Sequence, residues 1–177
     1  MRLAVVSCSL DPDSRSRILA GRAHELLKAR GCDVDWIDLA DIPLPLCDGG
    51  ACYGNENARL VTERLRLARG ILLATPIYNF DVSSATKNLI ELTSKDVWSD
   101  TVAGFLCAAG GQGSYMSVMA VANSLMLDFR TVIIPRFVYA TGSDFTGDEL
   151  TGETVIERIG QLTSDLVRFT AALCGEK

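Results

Sequence analysis

Apolar runs of strand length alternate with stretches of helical period along the whole chain, and this alternation limits the fold more than any other feature. Arg2–Ser7, "RLAVVS", is a continuous apolar run suited to a strand buried on both faces. Ser16–Arg30 follows, with Leu19, Ala23, Leu26 and Leu27 at helical spacing and Gly31 placed to stop it. Asp33–Leu39, "DVDWIDL", alternates as a half-buried strand does, and Ala40–Asn55, with its two prolines and glycines, reads as a long loop. Ile71–Thr75 and Val102–Ala108 make the third and fourth strands, and a fifth falls within Thr131–Ala140, broken near Pro135. Between and after them lie helices from an Asn57 cap to about Arg69, from Ser83 or Ser84 to about Ser94, over Ser114–Phe129 and over Glu153–Leu173. Strands joined through helices require right-handed crossovers and therefore a parallel sheet covered on both faces. The fold class is α/β, a doubly wound three-layer sandwich with a five-stranded parallel sheet.

No linker, repeat or low-complexity tract divides the 177 residues, so residues 1–177 read as a single domain. No apolar run reaches the roughly 18 to 20 residues of a membrane span. The start "MRLAVVSCSL" reads as a first strand rather than a signal peptide, which points to the cytoplasm. A net charge of −5 with no Lys/Arg cluster argues against nucleic acid. The six cysteines (Cys8, Cys32, Cys47, Cys52, Cys107, Cys174) form no C-x-x-C pair, and the one histidine, His24, sits mid-helix, so zinc and iron–sulfur spacings are missing. The expected partner is a small molecule or a second copy of the chain.

Doubly wound sheets bind ligands outside the carboxyl ends of their strands, which singles out Cys8–Arg15, Pro76–Ser83 and Ala109–Ser114. The first of these, "SCSLDPDSRSR", contains no glycine and so cannot be a G-x-G-x-x-G dinucleotide loop. Its Cys8 to Arg15 spacing, C-x6-R, is one residue longer than the C-x5-R loop of low-molecular-weight tyrosine phosphatases. A monophosphate cradle fits it better: hydroxyls of Ser9, Ser14 and Ser16, the charge of Arg15 or Arg17, and the amides of a helix start capped by Ser16. Asp11 and Asp13 belong on the outer rim of such a cradle. In the second loop Pro76 stiffens the chain and the amides of Ile77, Tyr78 and Asn79 are free to meet a flat heteroaromatic edge. In the third, Gly110, Gly111 and Gly113 precede a helix expected to start near Ser114, where backbone can approach a ligand.

Together, S-x4-S-x-S from Ser9, "TPIYN" from Thr75 before "SSATKNLIEL", "GGQGS" from Gly110 and "DLADIPLPL" from Asp38 resemble the NAD(P)H-dependent FMN reductase family of the flavodoxin-like fold, over about Arg2 to Tyr139. That resemblance implies a strand order 2-1-3-4-5 and bound FMN. It assigns Ser9, Ser14, Arg15 and Ser16 to the phosphate, Pro76, Ile77, Tyr78 and Asn79 to the isoalloxazine, and Gly110, Gly111, Gln112 and Gly113 to the pyrimidine end. It implies hydride transfer from NADH or NADPH to flavin N5 without any catalytic side chain. Reduced flavin would then pass electrons to a second acceptor, or reach a flavin-dependent monooxygenase as diffusible reduced FMN. Alternatives are a quinone, azo or chromate reductase with tightly bound FMN, and a flavodoxin-like electron carrier, although flavodoxins typically carry T-x-T-G-x-T in the first loop. Members bind flavin in a cleft completed by a second subunit, which implies a homodimer or tetramer, with Phe80, Val82 and Tyr53 as candidate walls. The apolar helix Ser117–Leu127, too poor in polar residues for a wholly solvated outer face, is either deeply packed or at a subunit contact. Many members have Glu at the Ile77 position, Gly at Cys8 and Arg at Asp11, so here the phosphate charge falls to Arg15 or Arg17.

Overall fold

A computed structural model describes residues 1–173; Cys174 lies outside the described residues. In chain order the elements are β1 (Arg2–Ser7), α1 (Arg15–Ala29), β2 (Asp33–Asp38), α2 (Glu56–Arg66), β3 (Gly70–Tyr78), β4 (Asp81–Val82), α3 (Ser84–Trp98), β5 (Val102–Ala108), α4 (Met119–Phe129), β6 (Val132–Ile133), β7 (Val138–Ala140), β8 (Phe145–Thr146), β9 (Glu149–Leu150) and α5 (Glu153–Leu173). The main sheet runs β2-β1-β3-β5-β6, all parallel, with β7 also pairing β5 beyond the break at Ile134–Phe137. Counting β6 and β7 as one interrupted strand and setting aside the short arm β4, this is the expected 2-1-3-4-5 order.

Side chains sort by strand parity into two cores. Leu3, Val5, Leu72, Ala74, Val102 and Leu106 face α1 and α5, packing with Leu19, Leu27, Ile159 and Leu162. Ala4, Val6, Ile71, Leu73, Phe105 and Cys107 face the opposite layer, packing with Val61 and Leu65 of α2, Leu89 of α3 and Leu125 of α4. Gly104 in β5 lets α5 approach: a Cβ there would stand 3.0 Å from both Leu162 and Leu72.

Strand β2 departs from the half-buried expectation. Val34 and Trp36 pack on one face and Ile37 on the other, so even the sheet edge is covered on both sides. The polar residue Asp35 is accommodated by Arg64 of α2, whose Nη2 and Nε donate to its two carboxylate oxygens at 2.6 and 3.1 Å. Helix α2 is capped by Asn55 rather than Asn57, its side chain accepting the amides of Asn57 and Ala58. Helix α3 is interrupted by Ser94, whose φ of 55° ends the first segment where the sequence suggested. The largest difference is α4, which begins at Met119, not near Ser114. Residues Gln112–Ser114 form a short 3-10 turn instead, and Tyr115 packs on Phe137 and Tyr139 rather than continuing a helix.

Candidate functional site

The first loop leaves the sheet after one last rung, the Cys8 amide donating to the Ala74 carbonyl at 2.8 Å. It then folds on itself: the Asp11 amide donates to Ser9 Oγ and the Asp13 amide to Asp11 Oδ1, at 3.2 and 3.0 Å. Helix α1 starts at Arg15, so Ser14 holds the cap position expected for Ser16. Ser16 instead turns inward and is wholly buried, its hydroxyl 2.9 Å from that of Ser14. No side chain caps the first turn, and although the Arg17 amide donates to the Ser14 carbonyl at 2.9 Å, the amides of Arg15 and Ser16 are left for an external acceptor.

The two arginines divide their roles. Arg17 Nε donates to the buried Asp38 carboxylate at 2.5 Å and its Nη1 to the Pro12 carbonyl at 3.2 Å, so its charge is spent holding the loop. Asp38 in turn raises the Arg17 pKa by hydrogen bond and charge. Among the described residues Arg15 makes no ion pair; its guanidinium lies 5.5 Å from the Phe145 ring centre.

In the second loop β3 continues through Pro76, Ile77 and Tyr78 and folds back as β4. The turn places Asn79 at φ 50° and Phe80 at φ 64°, the positive values that a two-residue primed turn asks of both central positions. Tyr78 and Phe80 are consequently exposed, at 58% and 56%. Val82, expected as a wall, points into the core instead, because its position opposite Ile77 puts it on the buried side of the hairpin. Tyr53 is exposed and stands beside Cys47, its hydroxyl 3.6 Å from the sulfur.

Contacts that hold the third loop include the Ala109 amide to the Ala140 carbonyl at 2.9 Å and the Tyr139 hydroxyl to the Gly111 carbonyl at 2.6 Å, with Ser114 also bonded to Tyr139. A Cβ at Gly110, Gly111 or Gly113 would meet nothing within 4 Å, and none of the three has a positive φ. These glycines therefore serve no internal packing; what they keep clear is the outer surface. Because α4 starts five residues beyond Ser114, no α-helix start stands at this loop, which continues as the short turn Gln112–Ser114.

One cleft of about 380 Å³ joins the three loops. Asp11, Asp13, Ser14, Arg15, Pro76, Ile77, Tyr78 and Gly110 line it, so the two aspartates expected on an outer rim are themselves part of the lining. Ser9 and Ser16 lie buried beneath it, and Asn79, Gly111, Gln112 and Gly113 stand exposed without lining it. Gly147 and Asp148, the turn of the β8–β9 hairpin, complete the wall. Sequence reading missed both, although Gly-Asp between "FT" and "EL" is a hairpin signal. Tyr139, the anchor of the glycine loop, carried no sequence signal of that role. A second cleft of about 390 Å³, lined by Leu10, Leu39, Pro43, Leu44 and Leu46, is mostly apolar, and its Asn88 is already committed to Cys47 and Pro45 of the long loop.

The unpaired guanidinium, the uncapped amides and the glycine edge suit a ligand with one anionic end and one flat end, as FMN has. The cleft does not suit a thiolate phosphatase: burial pushes the Cys8 thiol up to about 12, beyond the charge of a nucleophile at neutral pH.

Comparison with known proteins gives the same picture. Residues 1–146 match the family model described as NADPH-dependent FMN reductase. The chain is 30% identical to an NAD(P)H-dependent FAD/FMN reductase of Geobacillus thermodenitrificans, over 77% of this chain and 75% of that one. It is 29% identical to an NADPH:quinone oxidoreductase of Arabidopsis thaliana, over 99% and 95% of the two chains. An oxidoreductase of Corynebacterium diphtheriae shares the fold, with a TM-score of 0.77 at 21% identity over 99% of this chain and 98% of that one.

Proposed function

The chain belongs to the NADPH-dependent FMN reductase family, and we propose that it takes hydride from NADH or NADPH onto FMN held in the three-loop cleft. The observation that carries this reading is the convergence of Arg15, Pro76–Tyr78 and Gly110 on that single cleft at the carboxyl edge of the sheet. Bound FMN supplies the hydride-accepting chemistry. The residues bind, orient and shield. Arg15, Ser14 and the amides at the start of α1 hold the phosphate, with Ser9 and Ser16 buried below as support for the loop. Pro76, Ile77, Tyr78 and Asn79 border the ring. Amides at Gly110, Gly111, Gln112 and Gly113 face the ring's pyrimidine end, where negative charge grows on reduction.

The protein acts in the cytoplasm as a homodimer or tetramer. Among the described residues no helix is long and apolar enough to cross a membrane. Exposed Tyr78, Phe80, Met116 and Leu127 give a second copy apolar surface to cover. FMN held in the cleft would relay the nicotinamide's reducing equivalents to a second acceptor, or to a flavin-dependent monooxygenase after release. A second reading, tightly held FMN serving a quinone, is favoured by the near full-length match to the Arabidopsis quinone oxidoreductase.

Anaerobic titration with NADH and with NADPH, followed at the flavin absorption band with and without added FMN, tests the proposal. Bleaching of the band on nicotinamide addition is expected. Flavin left oxidised by both nucleotides would overturn it. Added quinone that reoxidises the protein's flavin in stoichiometric complex, without free FMN, would favour the second reading.

A further inference from the structure

Below the cleft lies a buried chain of hydroxyls that the binding surface does not account for. Thr75 stands in β3, and Ser83 and Thr86 stand at the start of α3; all three are buried, Thr75 and Thr86 completely. Thr75 Oγ1 is 2.6 Å from Thr86 Oγ1, which is 2.9 Å from Ser83 Oγ, which is 3.5 Å from the Cys8 carbonyl oxygen. Each hydroxyl has one proton to give; the Thr75 hydroxyl also donates to the Pro76 carbonyl at 3.1 Å, and either partner can be the donor in the Thr75–Thr86 and Thr86–Ser83 contacts. The amides join in, Thr86 N–H donating to Ser83 Oγ at 3.3 Å and Ser83 N–H to the Pro76 carbonyl at 3.0 Å.

The position of this chain gives it a role. The ladder between β1 and β3 ends with the Cys8 amide on Ala74. Beyond that rung the first loop departs from Cys8 and the second from Thr75, and among the described residues no backbone hydrogen bond joins the two loops again. The hydroxyl chain reaches across the gap, with Thr86 at its centre touching both other hydroxyls. Left without a partner in so dry a place, any of these oxygens would carry a desolvation cost, so the chain favours one spacing of the loops.

We propose that Thr86 is a positioning residue that fixes the distance between the loop holding the flavin phosphate and the loop bordering the flavin ring. The inference rests on the FMN reading of the cleft. A ligand bound at both ends gains from its second contact only if the two loops already stand at the ligand's own spacing; otherwise ordering them consumes the gain. The quantity that reports this is the ratio of riboflavin to FMN dissociation constants, which isolates what the phosphate adds.

Fluorescence titration of both flavins, well below each variant's melting temperature, measures that ratio for the native chain, Thr86→Val, Thr86→Ser and Arg15→Ala. The native chain prefers FMN, and Arg15→Ala lowers the preference by about tenfold or more, as loss of a charged hydrogen bond does. Thr86→Val keeps the side-chain volume and lowers it by about fivefold, the equivalent of one net hydrogen bond, while Thr86→Ser restores it. Should Thr86→Val fold poorly, Thr75→Val cuts the chain at its other end and carries the same expectation. A Thr86→Val protein with a lower melting temperature but an unchanged ratio has lost only stability, and that outcome overturns the positioning role while leaving the cradle intact. A native chain with no preference for FMN over riboflavin overturns the cradle itself.

Discussion

Phe80 is the residue whose backbone argues most directly for a role outside the fold. A left-handed φ costs a non-glycine residue roughly 1–2 kcal/mol, and for a bulky ring it is a real outlier. Asn79 beside it tolerates that conformation, because its short side chain can bond locally, but Phe80 has no such compensation and is 56% exposed at φ 64°. Burial therefore does not repay the strain, and strain of this kind is retained where the side chain is needed by something outside the chain's own core. Phe80→Gly should relieve the backbone at the cost of about 0.5–1 kcal/mol of extra unfolded-state freedom, leaving stability level or slightly raised. NADH oxidation should fall several-fold in the same variant, as an exposed ring beside the cleft-lining Tyr78 is lost. Thermal melts and steady-state turnover check both halves; a melting temperature lower by several degrees would make Phe80 an ordinary packing residue.

At the scale of the elements, the pairing of β2 with α2 depends on one carboxylate. Burial pushes the Asp35 pKa up, but the hydrogen bonds and charges of Arg64 and Arg2 outweigh it, so the folded-state pKa lies below the ordinary value. A group depressed on folding contributes stability above its unfolded pKa, near 3.9, and that contribution fades as pH falls through the folded value. Asp35→Asn should lower the urea midpoint at pH 7, and the gap to the native chain should narrow as pH falls below the ordinary carboxylate value; a gap that stays constant with pH would mean the charge is not what holds the helix. This pair also shows how far the sequence could be read. The alternation of strand and helix periods located five strands and five helices, and the three loops followed from strand polarity alone. "DVDWIDL" looked half-buried because Asp33 and Asp35 resemble a solvent face, and only the approach of Arg64 from α2 shows that face to be covered. The late start of α4 was hidden because Ser114–Val118 has good helical spacing, while the aromatic contacts of Tyr115 with Phe137 and Tyr139, distant in sequence, decide the local path. Gly147 and Asp148 reach the cleft through the hairpin's tertiary placement, which no local pattern encodes.

For the whole molecule, the open question of assembly turns on where apolar surface remains uncovered. Met116, Met119, Met126 and Leu127 stand exposed on and just before α4, and Leu127 is 84% accessible. The hairpin arm β4 adjoins the same helix, since Asp81, Val82, Lys87, Ala120, Val121 and Ser124 share one groove. A net charge of −5 keeps single copies apart at long range, yet this helix adds only Asp128 to that charge, and its flank is dominated by thioether and aliphatic groups. Soluble monomers seldom leave large contiguous apolar patches uncovered, and a stable pairing needs about 800 Å² from each partner, an area that a three-turn helix and an adjoining hairpin can supply between them. A two-fold contact through α4 would place the same residues of both copies face to face, so a single added charge appears twice at close range. Leu127→Asp should therefore shift the species seen by light scattering from twice the 19.1 kDa chain mass toward the chain mass itself, with little change in melting temperature at high dilution, where both proteins are single. Turnover should fall with the loss of pairing if the second copy closes the cleft, and it should recover with protein concentration in the native chain but not in the variant. A native chain that scatters as a monomer at tens of micromolar would remove α4 as a contact surface.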